Sequence, residues 1–256
     1  MPANAAFPFL DWPGPLPFAH AGGALEAPAN TMPAFEHAVR LGYRYLETDV
    51  HVTSDGVVVA FHDDDLDRTT DGHGLVGDQP WSRVKEVRVD GAEPIPRLEE
   101  LLAAFPEARI NVDPKHDEVV EPLADVLRRS AAIDRVCVGA FSDRRLSRIR
   151  DLLGPALCVS MGPKQVARLF AASRGLPGGG GVVAPCAQVP VSQGRIPLVT
   201  PRFVGEAHRR GIQVHVWTID DRTEMDRLLD LGIDGIMTDR PQVLKDALVA
   251  RDQWHE

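Results

Sequence analysis

The chain has 256 residues, of which 44% are hydrophobic and 25% are charged, a globular composition that excludes disordered, collagen-like and membrane-spanning classes. Its length fits either two small domains or one (β/α)8 barrel of roughly 250 residues. The 28 Lys and Arg residues against 37 Asp and Glu residues give a net charge of −9, which disfavours nucleic acid and anionic membrane surfaces as partners. One small phosphate could still bind beside a local cation.

Neither a targeting signal nor a disulfide framework is indicated. The first twenty residues lack a basic segment followed by an uninterrupted apolar one, and no window is long and apolar enough to span a membrane. We therefore expect a cytoplasmic protein with no stable membrane anchor. The cysteines Cys137, Cys158 and Cys186 lie in short apolar runs, without metal or disulfide spacing, and we expect buried thiols. The oligomeric state has no indicator in the sequence.

From about residue 17 onward, short apolar runs alternate with amphipathic stretches, which is the pattern of a parallel sheet covered by helices. The predicted strands span residues 16–20, 45–50, 109–115, 135–140, 156–161, 181–186, 212–219 and 234–239. The predicted helices between and after them span residues 31–42, 119–131, 143–154, 164–175, 201–211, 222–232 and 241–252. No dinucleotide-binding fingerprint opens the first unit, so we predict an α/β fold of the closed (β/α)8 TIM-barrel type, not an open sheet.

One long segment interrupts this alternation between the second and third predicted strands. It includes the alternating run VVVAFH (57–62) and the acidic stretch DDDLDRTTDGHG (63–74), before IPRLEELLAAF (95–105) resumes a helical pattern. Long segments of this kind in a compact domain are usually functional. The glycine-rich GLPGGGG (175–181) lacks the Lys and Ser/Thr of a phosphate-binding loop, and we interpret it as a linker turn.

Active sites of such barrels form at the C-terminal ends of the strands, and several predicted strands end in reactive side chains. Side chains alternate along a strand, so Glu47 and Asp49 point to the same face of their strand. Asp113 and Lys115 likewise point to the same face of theirs. The candidate site residues at the strand ends and in the long segment are His20, Glu47, Asp49, His62, Asp113, Lys115 and Trp217.

The acidic candidates indicate a metal. Glu47, Asp49 and Asp113 on adjacent strands would repel one another unless a cation or a shared proton relieved them, and oxygen ligands favour a hard ion such as Mg2+ or Ca2+. The alternative is that Glu47 and Asp49 are rim residues paired with neighbouring Arg or Lys side chains. The two histidines, His20 and His62, could supply a base and an acid near neutral pH for cleavage of an unactivated ester.

These residues stand in stretches that together resemble the glycerophosphodiester phosphodiesterase family. The Glu-x-Asp, the downstream His-Asp and the Arg-Thr-Thr form a specific combination, and the matching stretches follow one another over most of the chain. They are AHAGG (19–23), APANTMPAFEHAVRLG (27–42), YLETDVHVTSDGVVVAFHDDDLDRTTDGHG (45–74), IPRLEELL (95–102), NVDPK (111–115), VHVWTID (214–220) and DGIMTDRP (234–241).

The resemblance implies one barrel domain over residues 1–256 with a small subdomain, residues 51–94, inserted between strand two and helix two. It implies hydrolysis of a small glycerophosphodiester to glycerol 3-phosphate and an alcohol, through attack by the glycerol hydroxyl and a cyclic phosphate. It also implies one divalent cation on Glu47, Asp49 and Asp113, and His20 and His62 as the acid–base pair. Lys115 would help to hold the phosphate, and Trp217 is a further substrate-binding candidate.

Three positions depart from the family pattern. Ala21 stands where the family has Arg, Ala29 stands where it has Glu, and Asp113 stands where it has the longer Glu, which a flexible Ca2+ shell tolerates better than Mg2+. Loss of a cation and an anion together could be compensatory, because a charge left alone in a site is costly. Charged residues nearby in sequence that could substitute are Glu26, Arg44 and Arg68.

Two other functions stay open. The first is a catalytically weakened barrel that binds phosphodiesters, which the alanines at positions 21 and 29 favour. The second is a phospholipase D-like enzyme that cleaves lipid phosphodiesters on the same scaffold. The sequence shows no obvious cluster of apolar residues in its loops, which counts against a lipid substrate.

Overall fold

A computed structural model describes residues 7–176 and 184–255. Its strands, in chain order, are β1 (Leu16–Ala19), β2 (Tyr45–Val52), β3 (Val58–Ala60), β4 (Arg88–Val89), β5 (Glu93–Pro94), β6 (Arg109–Pro114), β7 (Val136–Val138), β8 (Cys158–Val159), β9 (Cys186–Pro190), β10 (Ser192–Gln193), β11 (Ile196–Pro197), β12 (Gln213–Trp217) and β13 (Gly235–Thr238).

The α-helices follow the strands much as the periodicity predicts. They are α1 (Met32–Arg40), α2 (Trp81–Val84), α3 (Leu98–Ala104), α4 (Val120–Arg129), α5 (Asp143–Leu153), α6 (Pro163–Ser173), α7 (Pro201–Arg209), α8 (Arg222–Asp230) and α9 (Pro241–Val249). The residues that precede α5, α7 and α8 are Ser142, Thr200 and Asp221. The side chain of each accepts a hydrogen bond from a backbone amide in the first turn of its helix. None of the helices in the described ranges combines the length and the apolar character needed to cross a bilayer.

Eight parallel strands form a nearly closed barrel, which confirms the predicted fold class. Their order around the sheet is β8-β7-β6-β2-β1-β13-β12-β9. The first and last strands in sequence, β1 and β13, pair in parallel, and the open end is bridged where the Met161 amide donates to the Cys186 carbonyl at 2.9 Å. This closure brings the C-terminal ends of all eight strands to one mouth.

The core divides between the barrel interior and the layer between strands and helices. Apolar faces of the helices pack on the outside of the strands in two large clusters. The lower interior contains aromatic side chains and the three cysteines, whose thiols are buried, as predicted. Their sulfurs converge to within 4.8 Å of one another, an arrangement that the wide spacing in the sequence did not predict.

The long segment after β2 builds a small layer of its own. The predicted run VVVAFH contains β3, which pairs antiparallel to β2, and the short strands β4 and β5 pair with each other. Val59, Phe61, Leu66 and Val76 are among the residues of a separate apolar cluster in this region. We propose that residues 51–94 form the inserted subdomain of one barrel domain spanning the chain.

The sixth predicted strand is misplaced. The prediction put it at residues 181–186, whereas β9 begins at Cys186 and ends at Pro190. The apolar run that drew the prediction lies mostly outside the described residues, as does most of the GLPGGGG stretch interpreted as a linker turn. The fifth strand is also shorter than predicted, since β8 covers only Cys158–Val159.

Candidate active site

A cavity of about 770 Å3 lies at the C-terminal mouth of the barrel. Each of the seven candidate site residues lines it, although they come from strands and loops spread over nearly two hundred residues of sequence. They are His20, Glu47, Asp49, His62, Asp113, Lys115 and Trp217. The structure therefore brings together all of the residues that the strand-end argument selected.

The three acidic candidates and Lys115 lie together on the polar side of the cavity. Glu47 and Asp49 are 4% and 3% exposed, and the Lys115 Nζ lies 2.6 Å from Asp49 Oδ1 and 3.3 Å from Asp113 Oδ2. The Lys115 amine thus already pairs with two of the three acids, as the rim interpretation predicts for Asp49. The Ala21 amide donates to Glu47 Oε2 at 3.1 Å, so a main-chain group holds the third acid.

Burial, followed by repulsion from Asp49, raises the pKa of Glu47 well above its usual range. Burial likewise raises the pKa of Asp113, against the opposing effect of Lys115. Glu47 and Asp113 therefore resist ionisation. A bound cation would favour the ionised form of both carboxyl groups.

The donor set fits a hard divalent cation. Oxygen atoms from three carboxylates face one cavity, and Asp113 Oδ1 is buried with no hydrogen-bond partner among the described residues. The oxygens of Glu47, Asp49 and Asp113 do not, however, all lie within 4.8 Å of one another. Groups of potential ligands that meet this distance within the described ranges are Cys137/Cys158/Cys186 and His51/Asp64/His116.

His20 directly follows β1 and is held between two acids. Its Nδ1 lies 2.7 Å from Asp239 Oδ1, and its Nε2 lies 3.7 Å from Glu47 Oε2. Burial alone would lower the pKa of His20, but Glu47 and Asp239 outweigh it and raise the pKa to about 9. The pKa of His20 is therefore raised only while the carboxylates beside it carry negative charge.

His62 lies on the more open side of the cavity, in the loop after β3. Its side chain is 57% exposed, and its Nδ1 is 2.7 Å from Asp63 Oδ1. Arg68 contacts the same carboxylate through Nε at 2.6 Å and Nη2 at 2.9 Å. The hydrogen bonds from Arg68 lower the pKa of Asp63 to about 2, so this carboxylate is ionised beside His62.

Ala21, one of the three departures from the family pattern, lies beside Glu47. Ala21 is buried, with a positive φ of 49°, and offers only its amide to Glu47. Of the three charged residues suggested as substitutes, Glu26 pairs with His37 at 2.7 Å and, like Arg44, does not line the cavity. Arg68 also does not line the cavity, and it contacts Asp63, the carboxylate beside His62.

The other side of the mouth is apolar. Its lining side chains lie at the end of β12 or in the segments after β7, β8 and β9. They include Phe141, Val166, Phe170, Ile196 and Trp217, which we call the apolar wall. Phe141 is 69% exposed and meets the Trp217 ring edge-on, with centroids 5.5 Å apart. Among these five residues only Phe141 lies in a loop, since Val166 and Phe170 are on α6, Ile196 is on β11 and Trp217 ends β12. The apolar wall therefore forms from single residues of distant helices, strands and one loop, and not from a cluster within the loops.

Two polar residues of the site were missed by the sequence argument. Asp239 contacts His20 and comes directly after β13, so the strand-end rule applied to the last strand would have selected it. Asn30 lies in the loop before α1, where its Nδ2 is 3.4 Å from Asp49 Oδ2 and its Oδ1 accepts a 2.7 Å hydrogen bond from Thr48. No periodic signal marks a loop residue of this kind.

Comparisons with known proteins agree on one family. The sequence profile of the glycerophosphoryl diester phosphodiesterase family matches residues 20–243. The chain is 39% identical over 254 residues to a Mycobacterium tuberculosis protein named "Probable glycerophosphodiester phosphodiesterase 2", covering 96% of this chain and 95% of that one. It is 28% identical over 248 residues to the glycerophosphodiester phosphodiesterase of Caldanaerobacter subterraneus, covering 90% and 96% of the two chains.

Solved structures share the fold. A phosphodiesterase of Oleispira antarctica, solved in complex with the product sn-glycerol-3-phosphate, superposes with a TM-score of 0.78 at 24% identity, covering 92% of this chain and 97% of that one. A glycerophosphodiester phosphodiesterase of Agrobacterium tumefaciens gives a TM-score of 0.74 at 25% identity, covering 89% and 97%.

Proposed function

Since the chain belongs to the glycerophosphoryl diester phosphodiesterase family, we propose that it hydrolyses glycerophosphodiesters to glycerol 3-phosphate and an alcohol. The observation that supports this most strongly is the convergence of two histidines, three carboxylates and a lysine on one cavity at the barrel mouth. The test is a coupled assay for glycerol 3-phosphate with several head groups, in the presence of Mg2+ or Ca2+. Release of glycerol 3-phosphate is expected, and no turnover of any diester would contradict the proposal.

Glu47, Asp49 and Asp113 would hold one divalent cation, Mg2+ or Ca2+, with Asp113 offering the Oδ1 that has no hydrogen-bond partner in the described part of the chain. When bound, this cation would polarise a phosphoryl oxygen and neutralise the carboxylates that hold the proton on His20. Lys115, with its Nζ between Asp49 and Asp113, supplies a fixed positive charge on the same side for the phosphate.

The two histidines divide the proton transfers. His20 takes the proton of the glycerol hydroxyl next to the phosphodiester, which attacks phosphorus to give a cyclic phosphate, and His62 gives a proton to the leaving alcohol. The exposed position of His62 suits contact with varied head groups, whereas His20 is enclosed by Glu47 and Asp239. Water then opens the cyclic phosphate.

The choice of leaving group tests this division. Removal of either imidazole is expected to cost about 10²- to 10⁴-fold in rate on a natural diester. Nitrophenolate leaves without a proton, so His62→Ala is expected to recover much of its activity on a nitrophenyl ester, whereas His20→Ala is not. Equal losses for both variants on both kinds of ester would contradict the assignment.

The alternative function is a barrel that binds phosphodiesters but turns them over slowly, which the buried Ala21 favours because no guanidinium faces Glu47 from that position. The paired variant Ala21→Arg/Ala29→Glu distinguishes the two functions. A slow wild type whose rate rises at least tenfold only in the paired variant would support the weakened barrel. An active wild type would support the enzyme.

A further inference from the structure

A layer of sulfur and imidazole groups lies inside the barrel, one step farther from the mouth than the active-site cavity. Four residues that line the cavity are each preceded, two positions earlier in the chain, by one of these groups. The pairs are Cys137 and Gly139, Cys158 and Ser160, Cys186 and Gln188, and His215 and Trp217. Side chains two positions apart along a strand point to the same face, so the three thiols and the imidazole face the barrel interior. All four are buried, with at most 1% exposure.

The three thiols converge although they lie on different strands. Cys137 on β7 and Cys158 on β8 are paired in the sheet register, and both make hydrogen-bond contacts with Cys186 on β9. The three sulfurs lie within 4.8 Å of one another. Thiolates that bind Zn2+ at about 2.3 Å lie roughly 3.8 Å apart around a tetrahedral ion, so these sulfurs would need to approach one another by about 1 Å at most.

His215 offers an imidazole nitrogen to the same layer. Gln213 Nε2 donates to the Leu10 carbonyl at 3.3 Å, which leaves Gln213 Oε1 to accept from His215 Nε2 at 3.0 Å. In the neutral imidazole the proton therefore lies on Nε2, and Nδ1 carries a free lone pair. This Nδ1 is buried without a hydrogen-bond partner among the described residues, and the ring interacts electrostatically with Cys186. Metal-binding histidines are held in this way, with the second ring N–H donated to an oxygen.

We propose that Cys137, Cys158, Cys186 and His215 bind one Zn2+ ion in a buried Cys3His site, separate from the carboxylates at the mouth. Three sulfur donors and one imidazole nitrogen are a ligand set typical of structural zinc, with no position left open for water or substrate. Binding replaces three thiol protons, so the filled site carries one excess negative charge with Zn2+ and two with Cu+. The smaller buried charge favours Zn2+, and the Arg150 guanidinium on α5 attracts a thiolate at Cys158.

Such a site would close the barrel at the junction of β8 and β9. These strands stand at the two ends of the sheet order, and the hydrogen bond from the Met161 amide to the Cys186 carbonyl bridges them. Cys158 lies on β8 and Cys186 on β9, so one shared ion would link the two strands through metal–sulfur bonds. Zinc at about 100 times its dissociation constant should then raise the midpoint of thermal unfolding by about 5 °C or more.

Metal content in matched variants tests the site. Cys186→Ala removes one sulfur, His215→Gln removes the imidazole, and Asp49→Asn removes a carboxylate at the mouth. After growth with added zinc and desalting in excess Mg2+, we expect one zinc per chain in the wild type and in Asp49→Asn. Cys186→Ala and His215→Gln should lose at least tenfold in zinc affinity and lose the zinc-dependent rise in unfolding midpoint. His208→Gln is the control and should keep the zinc, because His208 is 42% exposed on α7 and pairs with Asp234.

Cobalt identifies the ligands in the wild type itself, so this measurement does not depend on a variant that folds. Co2+ bound by thiolates gives an intense sulfur-to-cobalt charge-transfer band in the near ultraviolet, whereas Co2+ bound by carboxylates and water gives none. Metal-free wild type is titrated with Co2+ while excess Mg2+ occupies the mouth, and the band is expected to saturate at one Co2+ per chain. One equivalent of Zn2+ should then abolish the band, because the same ligands hold zinc more tightly than cobalt.

The outcomes separate the zinc site from the proposed function. Zinc that is lost in Asp49→Asn but kept in Cys186→Ala would place the ion at the mouth and overturn the inference. A wild type with no zinc, no charge-transfer band and three reactive thiols after denaturation would also overturn it. A single reactive thiol after denaturation would overturn it as well, because the other two cysteines would then form a disulfide. Absence of phosphodiester turnover in a protein that shows the zinc and the band would contradict the proposed function alone.

Discussion

Nδ1 of His20 lies 2.7 Å from Oδ1 of Asp239, although 219 residues separate them in the sequence. The contact exists because the first and last barrel strands pair in parallel, so that the residue after β1 meets the residue after β13. Asp239 is itself fixed, since its amide donates to Asp220 Oδ1 at 2.8 Å. The carboxylate therefore orients His20 so that Nε2 faces Glu47 and the cavity.

Asp239→Asn tests this orienting role. The amide keeps the shape of the side chain but removes the negative charge beside His20, so we expect kcat to fall by about 10²- to 10⁴-fold, with a smaller change in KM. The pKa seen in the pH–rate profile should also move downward. Kinetics over pH provide the measurement. Asp234→Asn is the control, because Asp234 contacts His208 at 2.8 Å and lies next to the opposite end of the same strand; this variant should keep wild-type kinetics.

The raised pKa of His20 makes stability depend on pH. The imidazole has an ordinary pKa of 6.5 and a folded-state pKa of about 9, so the folded state binds its proton more tightly than the unfolded state does. The stabilisation is complete below about pH 6.5 and is lost as the pH rises through about 9. Thermal unfolding in the presence of a chelator should therefore show a falling midpoint over this window. His20→Gln should flatten that fall, and an equally steep fall in the variant would remove His20 as its cause.

Metal binding is expected to depend on Asp49. Asp49→Asn removes one negative charge from the predicted ligand set and leaves a neutral oxygen, so divalent-cation affinity should fall by at least tenfold. Calorimetric titration with Mg2+ and with Ca2+ gives the affinities directly. Asp125→Asn is the control, because it changes a carboxylate with 62% side-chain exposure that pairs with Arg128 on α4. An unchanged titration in Asp49→Asn would take Asp49 out of the metal site.

The barrel and the charged side of its mouth could be predicted because the sequence patterns that indicate them are local. Apolar runs such as the one that ends at His20 mark a strand, and the alternation of side chains places Glu47 and Asp49 on one face. The sixth strand was misplaced because β9 carries Gln188 and ends in Pro190, which break the apolar pattern, whereas the run just before it is more apolar. Local periodicity cannot show which of the two segments, residues 181–186 or β9, forms the strand.

The apolar wall could not be predicted for a different reason. Phe141, Phe170 and Ile196 are single apolar residues in separate segments, and each alone is an ordinary exposed or partly buried side chain. Only closure of the barrel places them on one side of one cavity. The contact of Asp239 with His20 is non-local in the same sense, although the position of Asp239 at a strand end was visible in the sequence.

The final prediction concerns the pair Asp63 and His62. Asp63 accepts hydrogen bonds from Arg68 and lies 2.7 Å from the Nδ1 of His62, so it is a positioning residue for the imidazole. Asp63→Asn should lower kcat on a natural diester by about 10-fold or more, because the exposed His62 ring loses its fixed orientation. The loss should be much smaller on a nitrophenyl ester, whose leaving group needs no proton.

The neighbouring residue provides the control for that prediction. Asp64 follows Asp63 in the same loop but contacts His116 at 2.9 Å instead of His62, so Asp64→Asn should behave as the wild type on both substrates. Arg68→Ala should reproduce part of the Asp63→Asn loss, since it releases the carboxylate that orients His62. If Asp63→Asn lost equal activity on natural and nitrophenyl esters, Asp63 would act on the fold of the loop or on substrate binding, and not through the proton that His62 gives to the leaving alcohol.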